Sequence, residues 1–188
     1  SSRAVSCVWS SNNISGLLVW YDSADNSTLA NSGQTTFTWA SKGSYTPLTM
    51  TVPAGCNGPT VSNYNGTFPG IYFNGTNFVT RTASGVGTTS LTGDTSSFHI
   101  YTQVFDGTQA DNATRLRFFY DGIQQTLNFN GTTVGTQTNA STNKLNFAWD
   151  GTGNYWNGDI AEIMMWGKKL STTERVGVEK YLEDKWAL

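Results

Sequence analysis

The carboxylates with the most suggestive spacing for catalysis are Asp159 and Glu162, which lie on one predicted strand near the end of the chain. Retaining glycoside hydrolysis uses two carboxyl groups about 5–5.5 Å apart, one as nucleophile and one as acid and base. Successive residues of a strand point to opposite faces, so a regular strand would separate these two side chains. We therefore interpret Glu162 as structural and predict a protein that is not an enzyme, with no catalytic residue.

The single histidine, His99, lies in a strand predicted from Phe98 to Phe105. A serine–histidine–aspartate triad is formally conceivable, but no Gly-x-Ser-x-Gly turn accompanies this histidine. One histidine and two distant cysteines cannot supply the four ligands of a tetrahedral zinc site. We interpret His99 as a residue of the sheet.

The two cysteines, Cys7 and Cys56, leave two alternatives open. A disulfide between them would tie the N-terminal segment to the loop 53–59 and would contribute about 2–4 kcal/mol. Two free, buried thiols are the other alternative.

A glycine-rich loop is predicted over residues 150–158, between two strands. It combines one carboxylate, amide groups and two adjacent aromatic rings. Sugars need polar groups for their hydroxyls and a flat ring for their apolar C–H face, as ligand sites generally combine aromatic walls with a few polar groups. We predict a glycan-binding site here, and the alternative is a tight hairpin whose rings cover the edge of the fold. The candidate ligand-binding residues are Asp150, Asn154, Tyr155 and Trp156.

A second polar segment, residues 106–114, contains Asp106 and Asp111. Ca²⁺ takes roughly six to eight oxygen ligands, and these carboxylates are the candidate metal ligands. The spacing follows no EF-hand pattern, and a solvated turn is the competing interpretation. Asp22 and Asp25 raise the same question, and there we predict a capped turn. No cofactor other than Ca²⁺ is indicated.

The composition predicts a mostly β protein. Charged residues make up 13% of the chain, about half the usual share of roughly 25%. Asn, Ser, Thr and Gly supply the polarity instead, and they favour turns over helices. The aromatic content of 13%, with seven tryptophans, argues against disorder. The net charge of −2 gives no reason to expect nucleic acid or an anionic membrane as partner, and no apolar run predicts membrane insertion.

Turn dipeptides mark the ends of the predicted strands. Asp121-Gly122 gives the strongest hairpin signal, because both residues tolerate a positive φ. The segment Ile160–Trp166 is almost entirely apolar, which predicts a central strand covered on both faces. About ten strands followed by a helix fit a two-sheet sandwich. The predicted strands are Leu17–Tyr21, Thr35–Ala40, Pro47–Val52, Gly70–Phe73, Thr76–Thr80, Phe98–Phe105, Arg115–Tyr120, Ile123–Phe129, Lys144–Trp149 and Asp159–Trp166.

One helix is predicted, over residues 171–184. Ser171 and Glu174 have the spacing of a capping box. From there Val178, Tyr181, Leu182 and Trp186 recur at helical spacing and form one apolar face. We expect this face to pack on the β structure.

Several segments, in chain order, resemble laminin-G-like jelly rolls of the concanavalin A-like superfamily. Residues 16–25, GLLVWYDSAD, resemble the family's opening GLVLWLDASD. Residues 73–78 resemble its FNGxxxY hairpin. Residues 157–175, NGDIAEIMMWGKKLSTTER, resemble its closing GxIAEVxIYNRALSxxER, and residues 178–188 resemble its VExYLxxKWGL end. The resemblance spans nearly the whole chain.

This resemblance implies one domain, residues 1–188, folded as an all-β, two-sheet antiparallel jelly-roll sandwich with a short C-terminal α-helix. Glucanases of the superfamily carry Glu-x-Asp-x-x-Glu on one strand. Here Asn157 takes the place of the first glutamate, so the resemblance points to a non-catalytic branch. Related domains bind glycans or proteins, sometimes with calcium.

We therefore expect a recognition or adhesion domain that binds glycans, located extracellularly or on a virion surface. Its partner would be a glycan or a surface protein. The alternatives are a structural or decoration domain, whose partners would be other subunits of a virion or surface assembly, and a glycoside hydrolase. The chain begins at Ser1 without a signal-like stretch, and we expect an excised or processed domain. In a eukaryotic secretory setting the Asn-x-Ser/Thr sequons could carry glycans. They stand at Asn13, Asn26, Asn65, Asn74, Asn112, Asn130 and Asn139.

Overall fold

A computed structural model describes ten stretches of the chain. They are residues 14–32, 34, 38–44, 49–51, 60–64, 68–73, 80–82, 85–87, 97–137 and 158–188.

Thirteen strands, two α-helices and one 3₁₀-helix occur in these stretches. The strands are β1 Leu17–Asp22, β2 Leu29–Ala30, β3 Thr38–Ala40, β4 Thr49–Thr51, β5 Thr60–Tyr64, β6 Phe68–Phe73, β7 Thr80–Thr82, β8 Gly85–Gly87, β9 Tyr101–Phe105, β10 Leu116–Tyr120, β11 Ile123–Gln125, β12 Gly158–Ile160 and β13 Glu162–Trp166. The helices are α1 Asn112–Arg115 and α2 Thr172–Trp186, and the 3₁₀-helix is Asn26–Thr28.

The strands form small antiparallel sheets. Their orders are β1–β13, β11–β10–β9, β12–β6–β5, β2–β3–β4 and β7–β8. The described chain is therefore mostly antiparallel β structure with a short C-terminal helix, as the composition predicts. Among the described residues, no helix has the length and apolar character that a membrane crossing requires.

The hairpin predicted at Asp121-Gly122 is confirmed. It joins β10 to β11, and both turn residues have positive φ, 47° and 75°. The Asp121 carboxylate also accepts the backbone N–H of Ile100 at 2.8 Å. Because that N–H bonds to a side chain, β9 begins at Tyr101. His99 therefore precedes the strand, and the expectation that it belongs to the sheet is wrong.

The apolar segment predicted as one strand is two strands that belong to different sheets. Asp159 in β12 lies opposite Tyr72 of β6, whereas Glu162 in β13 lies opposite Asp22 of β1. The chain changes sheets at Ala161, whose carbonyl accepts the Ser23 N–H at 2.9 Å. The predicted coverage of both faces is also wrong, since Met165 is 36% exposed.

Helix α2 confirms the predicted capping box and nearly the predicted bounds. The Ser171 hydroxyl accepts the Glu174 N–H at 3.2 Å, and the Glu174 carboxylate accepts the Ser171 N–H at 2.8 Å. The helix ends at Trp186, and Ala187 caps it in a left-handed conformation. Val178 and Trp186 are buried on its inner face, as predicted.

The described core lies around β1, β3 and β10. Val19, Tyr21, Trp39, Leu116 and Phe118 are almost completely buried, and the rings of Tyr21 and Trp39 are 5.2 Å apart. Each such side chain contributes about 1.5–3 kcal/mol by leaving water. This core holds β1 in place, and the last residue of β1 is Asp22.

Candidate functional site

Glu162 lies at the centre of a polar cluster beneath helix α2. One carboxylate oxygen accepts from Trp20 Nε1 at 2.7 Å and from Tyr181 Oη at 3.2 Å. The other accepts from Lys185 Nζ and from Trp186 Nε1, both at 2.9 Å. The Glu162 side chain is only 2% exposed. Both of its oxygens are thus occupied by donors from β1 and from the last turns of the helix.

Asp22 is the second carboxylate of this cluster, opposite Glu162 in the β1–β13 register. It pairs with Lys185 Nζ at 2.8 Å and with Lys42 Nζ at 3.0 Å. Lys42 also pairs with Asp25 at 3.2 Å. We call Asp22, Lys42, Glu162 and Lys185 the buried charge cluster. Lys185 joins its two carboxylates.

The cluster keeps Asp22 and Lys185 charged at neutral pH. Burial by itself would raise the pKa of Asp22, but hydrogen bonds from Lys185 and Lys42 outweigh it and lower that pKa. Burial would likewise lower the pKa of Lys185, but Asp22 and Glu162 outweigh it and raise that pKa. Burial, followed by the charge of Glu162, raises the pKa of Tyr181 to about 12. The positive charge of Lys185 and the negative charge of Asp22 therefore stabilise each other in a partly buried site.

In this arrangement Glu162 holds the last turns of helix α2 against β1 and β13. A general acid or base must come within hydrogen-bond reach of a substrate proton. Here both oxygens of Glu162 already accept two donors each. Asp159, its nearest carboxylate in sequence, is in another sheet. The structure therefore does not bring the two sequence-predicted carboxylates together on one strand.

A second contact anchors the first half of helix α2 to the sheet of β9 and β10. Arg175 donates to both oxygens of the buried Glu179, and the Thr102 hydroxyl donates to Glu179 at 2.9 Å. The Arg175 guanidinium also lies 4.0 Å from the centre of the Phe119 ring. We call these four residues the helix clamp.

Asp106 and Asp111, the candidate calcium ligands, both have protein partners. Asp106 is buried and accepts from Lys169 Nζ at 2.7 Å, Thr108 Oγ1 at 2.6 Å and Gln109 Nε2 at 2.9 Å. The Lys169 contact is the main cause of a strongly lowered Asp106 pKa. Asp111 caps helix α1 by accepting the N–H three residues later.

A calcium ion at Asp106 would have to displace Lys169. In the part of the chain that the structure describes, no group of three or more His, Cys, Asp or Glu side chains is placed to hold a metal ion. The calcium site stays a prediction. The capped turn predicted at Asp22 and Asp25 is confirmed, because Asp25 caps the 3₁₀-helix by accepting the Ser27 N–H.

His99 forms a pair with Asp121, with Nδ1 2.8 Å from the carboxylate. Its ring stacks on Tyr120 at 4.8 Å. The hairpin turn thus orients this histidine, since Asp121 is itself a turn residue.

The predicted glycan loop and both cysteines lie outside the described residues. The described chain resumes at Gly158, which lies opposite Phe73 in the β12–β6 register. The strand predicted at Lys144–Trp149 is likewise outside it. The residues concerned are Asp150, Asn154, Tyr155, Trp156, Cys7 and Cys56.

Three of the sequons lie in the described chain. Asn26 and Asn130 are exposed. Asn112 is engaged at both ends of its amide: Nδ2 donates to the Thr132 carbonyl at 2.7 Å, and Oδ1 accepts the Val134 N–H at 2.8 Å. A glycan on Asn112 would therefore disturb a structural contact, whereas one on Asn26 or Asn130 would extend into solvent.

Comparison with known protein families, with curated proteins and with solved structures gives no match for this chain. The likeness to laminin-G-like domains therefore rests on the sequence segments themselves.

Sequence reasoning missed the partners of Glu162 and the whole helix clamp. Arg175 and Glu179 are four residues apart in α2, and so are Tyr181 and Lys185. Residues four apart lie on one face of a helix, so this spacing was a usable signal. Trp20, by contrast, is 142 residues from Glu162, and no local pattern indicates that contact.

Proposed function

We propose that this chain is a non-catalytic recognition domain that binds glycans, with the laminin-G-like jelly-roll fold of the concanavalin A-like superfamily. We place it on a secreted protein or on a virus particle. The pairing of β1 with β13 supports the fold, because it sets the segment that resembles the family's opening motif beside the segment that resembles its closing motif.

The proposal that the domain is non-catalytic rests on one observation: both carboxylate oxygens of Glu162 already accept hydrogen bonds from protein donors. Glucanases of this superfamily use glutamates on such a strand, with oxygens that must reach the substrate. In this chain four donors occupy Glu162 and its side chain is 2% exposed. Its role in this proposal is to dock helix α2.

The binding half rests on the loop 150–158, which we propose as the glycan contact. Asp150 and Asn154 would accept and donate hydrogen bonds to sugar hydroxyls. Tyr155 and Trp156 would stack on the apolar face of the ring, as aromatic side chains do in ligand sites. Residues 150–157 directly precede β12 in the sequence.

A glycan array probed with the folded chain tests this proposal. We expect binding that a Tyr155→Ala/Trp156→Ala double variant loses and that a Tyr155→Phe/Trp156→Phe variant, which keeps two flat rings, largely retains. Repeating the array with EDTA tests the calcium prediction at Asp106 and Asp111. A folded protein that binds no glycan would overturn the proposal and favour the structural role in an assembly.

A separate assay tests whether the chain is a hydrolase. We expect no release of reducing sugar from β-glucans by the wild-type chain. Release that disappears in a folded Glu162→Gln variant would refute the non-catalytic assignment.

A further inference from the structure

A small pocket lies where helix α1, the first residue of β10 and the end of β11 meet. Its volume is about 220 Å³. Pockets for drug-sized ligands measure about 300–1,000 Å³, so this one suits a single small ring. The residues that line it are Ala113, Leu116, Gln124, Gln125, Thr126 and Leu127.

The lining combines apolar and uncharged polar side chains. Leu116 is completely buried, whereas Gln124 and Thr126 are exposed. Gln125 donates from Nε2 to the Ile123 carbonyl at 2.9 Å, so its side chain is held in place. Within the described residues, the side chains of Gln124 and Thr126 have no hydrogen-bond partner. An amide and a hydroxyl are therefore available to a ligand.

The chemistry of the lining selects for an uncharged ligand. None of the six lining residues carries a charge. An ionised ligand would lose water here without gaining an opposite charge, which is costly. A ring with several hydroxyls would instead pair with the amide and hydroxyl groups while its C–H surface covers the half-buried Leu127.

We propose that this pocket binds one neutral sugar residue of a glycan. The geometry of the pocket stands by itself, and only the identity of the ligand as a sugar rests on the proposed function. The lining residues are separate in sequence from the loop 150–158.

The test is a titration of the full ¹⁵N-labelled chain with neutral monosaccharides: glucose, galactose, mannose and N-acetylglucosamine. At least one should shift the backbone and side-chain amide signals of Gln124 and Gln125 and the backbone amide of Thr126. Gln124→Ala should weaken that binding about tenfold, equivalent to about 1.4 kcal/mol. Gln103→Ala is the matched control, because Gln103 is an exposed glutamine of the neighbouring strand β9 that does not line the pocket.

A second variant fills the pocket without removing a polar group. Ala113→Phe, at an exposed position of α1, should abolish the shifts while the rest of the spectrum stays folded. The inference is overturned if none of the sugars shifts the pocket signals, if Ala113→Phe leaves the shifts unchanged, or if glucuronate binds more tightly than glucose.

The same variants distinguish this inference from the proposed function. Array binding that is lost in Tyr155→Ala/Trp156→Ala but unchanged in Gln124→Ala and Ala113→Phe, with no shift at the pocket, would overturn the pocket and leave the glycan-binding loop standing. Shifts at the pocket that persist in the loop variant, while its array binding is lost, would support the pocket and the loop as separate contacts.

Discussion

Glu162 and Lys185 form an ion pair whose surroundings decide its energetic role. Removing two charges from water costs several kcal/mol per ion, and their attraction repays this cost only when further hydrogen bonds complete the site. Here Trp20, Tyr181 and Trp186 supply them. The pair therefore specifies where the helix docks, and loss of one partner should cost more than the pair itself contributes.

Glu162→Gln should destabilise the fold by about 3 kcal/mol, because it leaves Lys185 without one of its buried partners. It would also turn an amide NH₂ toward groups that donate hydrogen bonds. Urea unfolding followed by tryptophan fluorescence would measure the change. Glu183→Gln is the control, since Glu183 is 45% exposed and 4.0 Å from Lys180; its effect should stay within about 0.5 kcal/mol. Equal effects of the two substitutions would contradict the prediction.

The fold should lose stability in alkaline solution because of Tyr181 and Lys185. The pKa of Tyr181 is raised from 10.0 to about 12, so the folded state holds this proton more tightly than the unfolded state. That contribution is complete below pH about 10 and is lost as the pH rises from about 10 through about 12. The raised pKa of Lys185 acts in the same direction.

Urea midpoints measured between pH 8 and pH 12 would check this expectation. Tyr181→Phe should flatten the decline above pH about 10, because it removes one of the two groups. A decline of unchanged steepness in Tyr181→Phe would show that Tyr181 is not responsible.

At the level of single residues, the sequence predicts the structural role of Glu162 but not its partners. The odd spacing from Asp159 predicts opposite faces of one strand, whereas the structure places the two carboxylates on different strands, β12 and β13. The contacts of Glu162 with Trp20 and Lys185 depend on tertiary packing, which local spacing does not encode. For the same reason the sequence does not predict Lys169 as the partner of Asp106, because the two residues are 63 positions apart.

Local side-chain contacts stabilise the ends of the helices and strands, and the capping box of α2 is one of them. Ser171→Ala would leave the Glu174 N–H without its acceptor and should cost about 1 kcal/mol. Thr173→Ala is the control, because Thr173 is an exposed residue of the same turn and alanine favours a helix. Chemical unfolding followed by circular dichroism would compare them, and a larger loss in Thr173→Ala would contradict the capping argument.

Gly43 brings the loop 41–44 close to β1 and so positions Lys42. A Cβ atom at residue 43 would lie 2.2 Å from the Leu18 carbonyl oxygen, which is backbone. Gly43→Ala should therefore displace the chain and cost about 2–3 kcal/mol.

Gly131→Ala is the matched control for this substitution. Nothing lies within 4 Å of a Cβ atom at residue 131, but its φ is +76°, so its cost should be limited to about 1 kcal/mol of backbone strain. Thermal unfolding of both variants would test the difference. A smaller loss in Gly43→Ala than in Gly131→Ala would refute the close approach.

Elements whose signals are local could be predicted, and those defined by distant partners could not. The capping box and the Asp121-Gly122 turn each lie within four consecutive residues, and both are confirmed. The division between β12 and β13 has no local signal, because it results from their pairing with two distant strands, β6 and β1. Strand β5, Thr60–Tyr64, was missed because its sequence, Thr-Val-Ser-Asn-Tyr, looks like a polar turn region.

Across the whole molecule, helix α2 contacts two different sheets. The buried charge cluster attaches its last turns to β1 and β13, and the helix clamp attaches its first half to β9 and β10. The helix therefore ties together elements from both halves of the chain. The composition predicted the mostly β character, but the arrangement of the sheets depends on long-range pairing that the composition does not contain.

Ending the chain at Leu170 should prevent cooperative folding. It would remove Lys185 from Asp22 and Glu162 and would expose the apolar surfaces beneath Val178 and Trp186. The truncated chain should bind the dye ANS and lose its near-ultraviolet circular dichroism, the signs of lost side-chain packing. Removal of Leu188 alone, an exposed residue, is the control and should leave both signals unchanged. A truncated chain that unfolds as sharply as the whole one would contradict this role of the helix.

The pairing of β1 with β13 has a consequence for synthesis on the ribosome. Leu17 lies opposite Trp166, so β1 emerges long before its partner strand has been translated. At about 5–20 residues per second, the wait lasts on the order of ten to thirty seconds. During that time Leu17, Val19 and Tyr21, all buried in the finished fold, face the surrounding medium. We expect this nascent segment to be bound by chaperones until β13 and helix α2 have emerged.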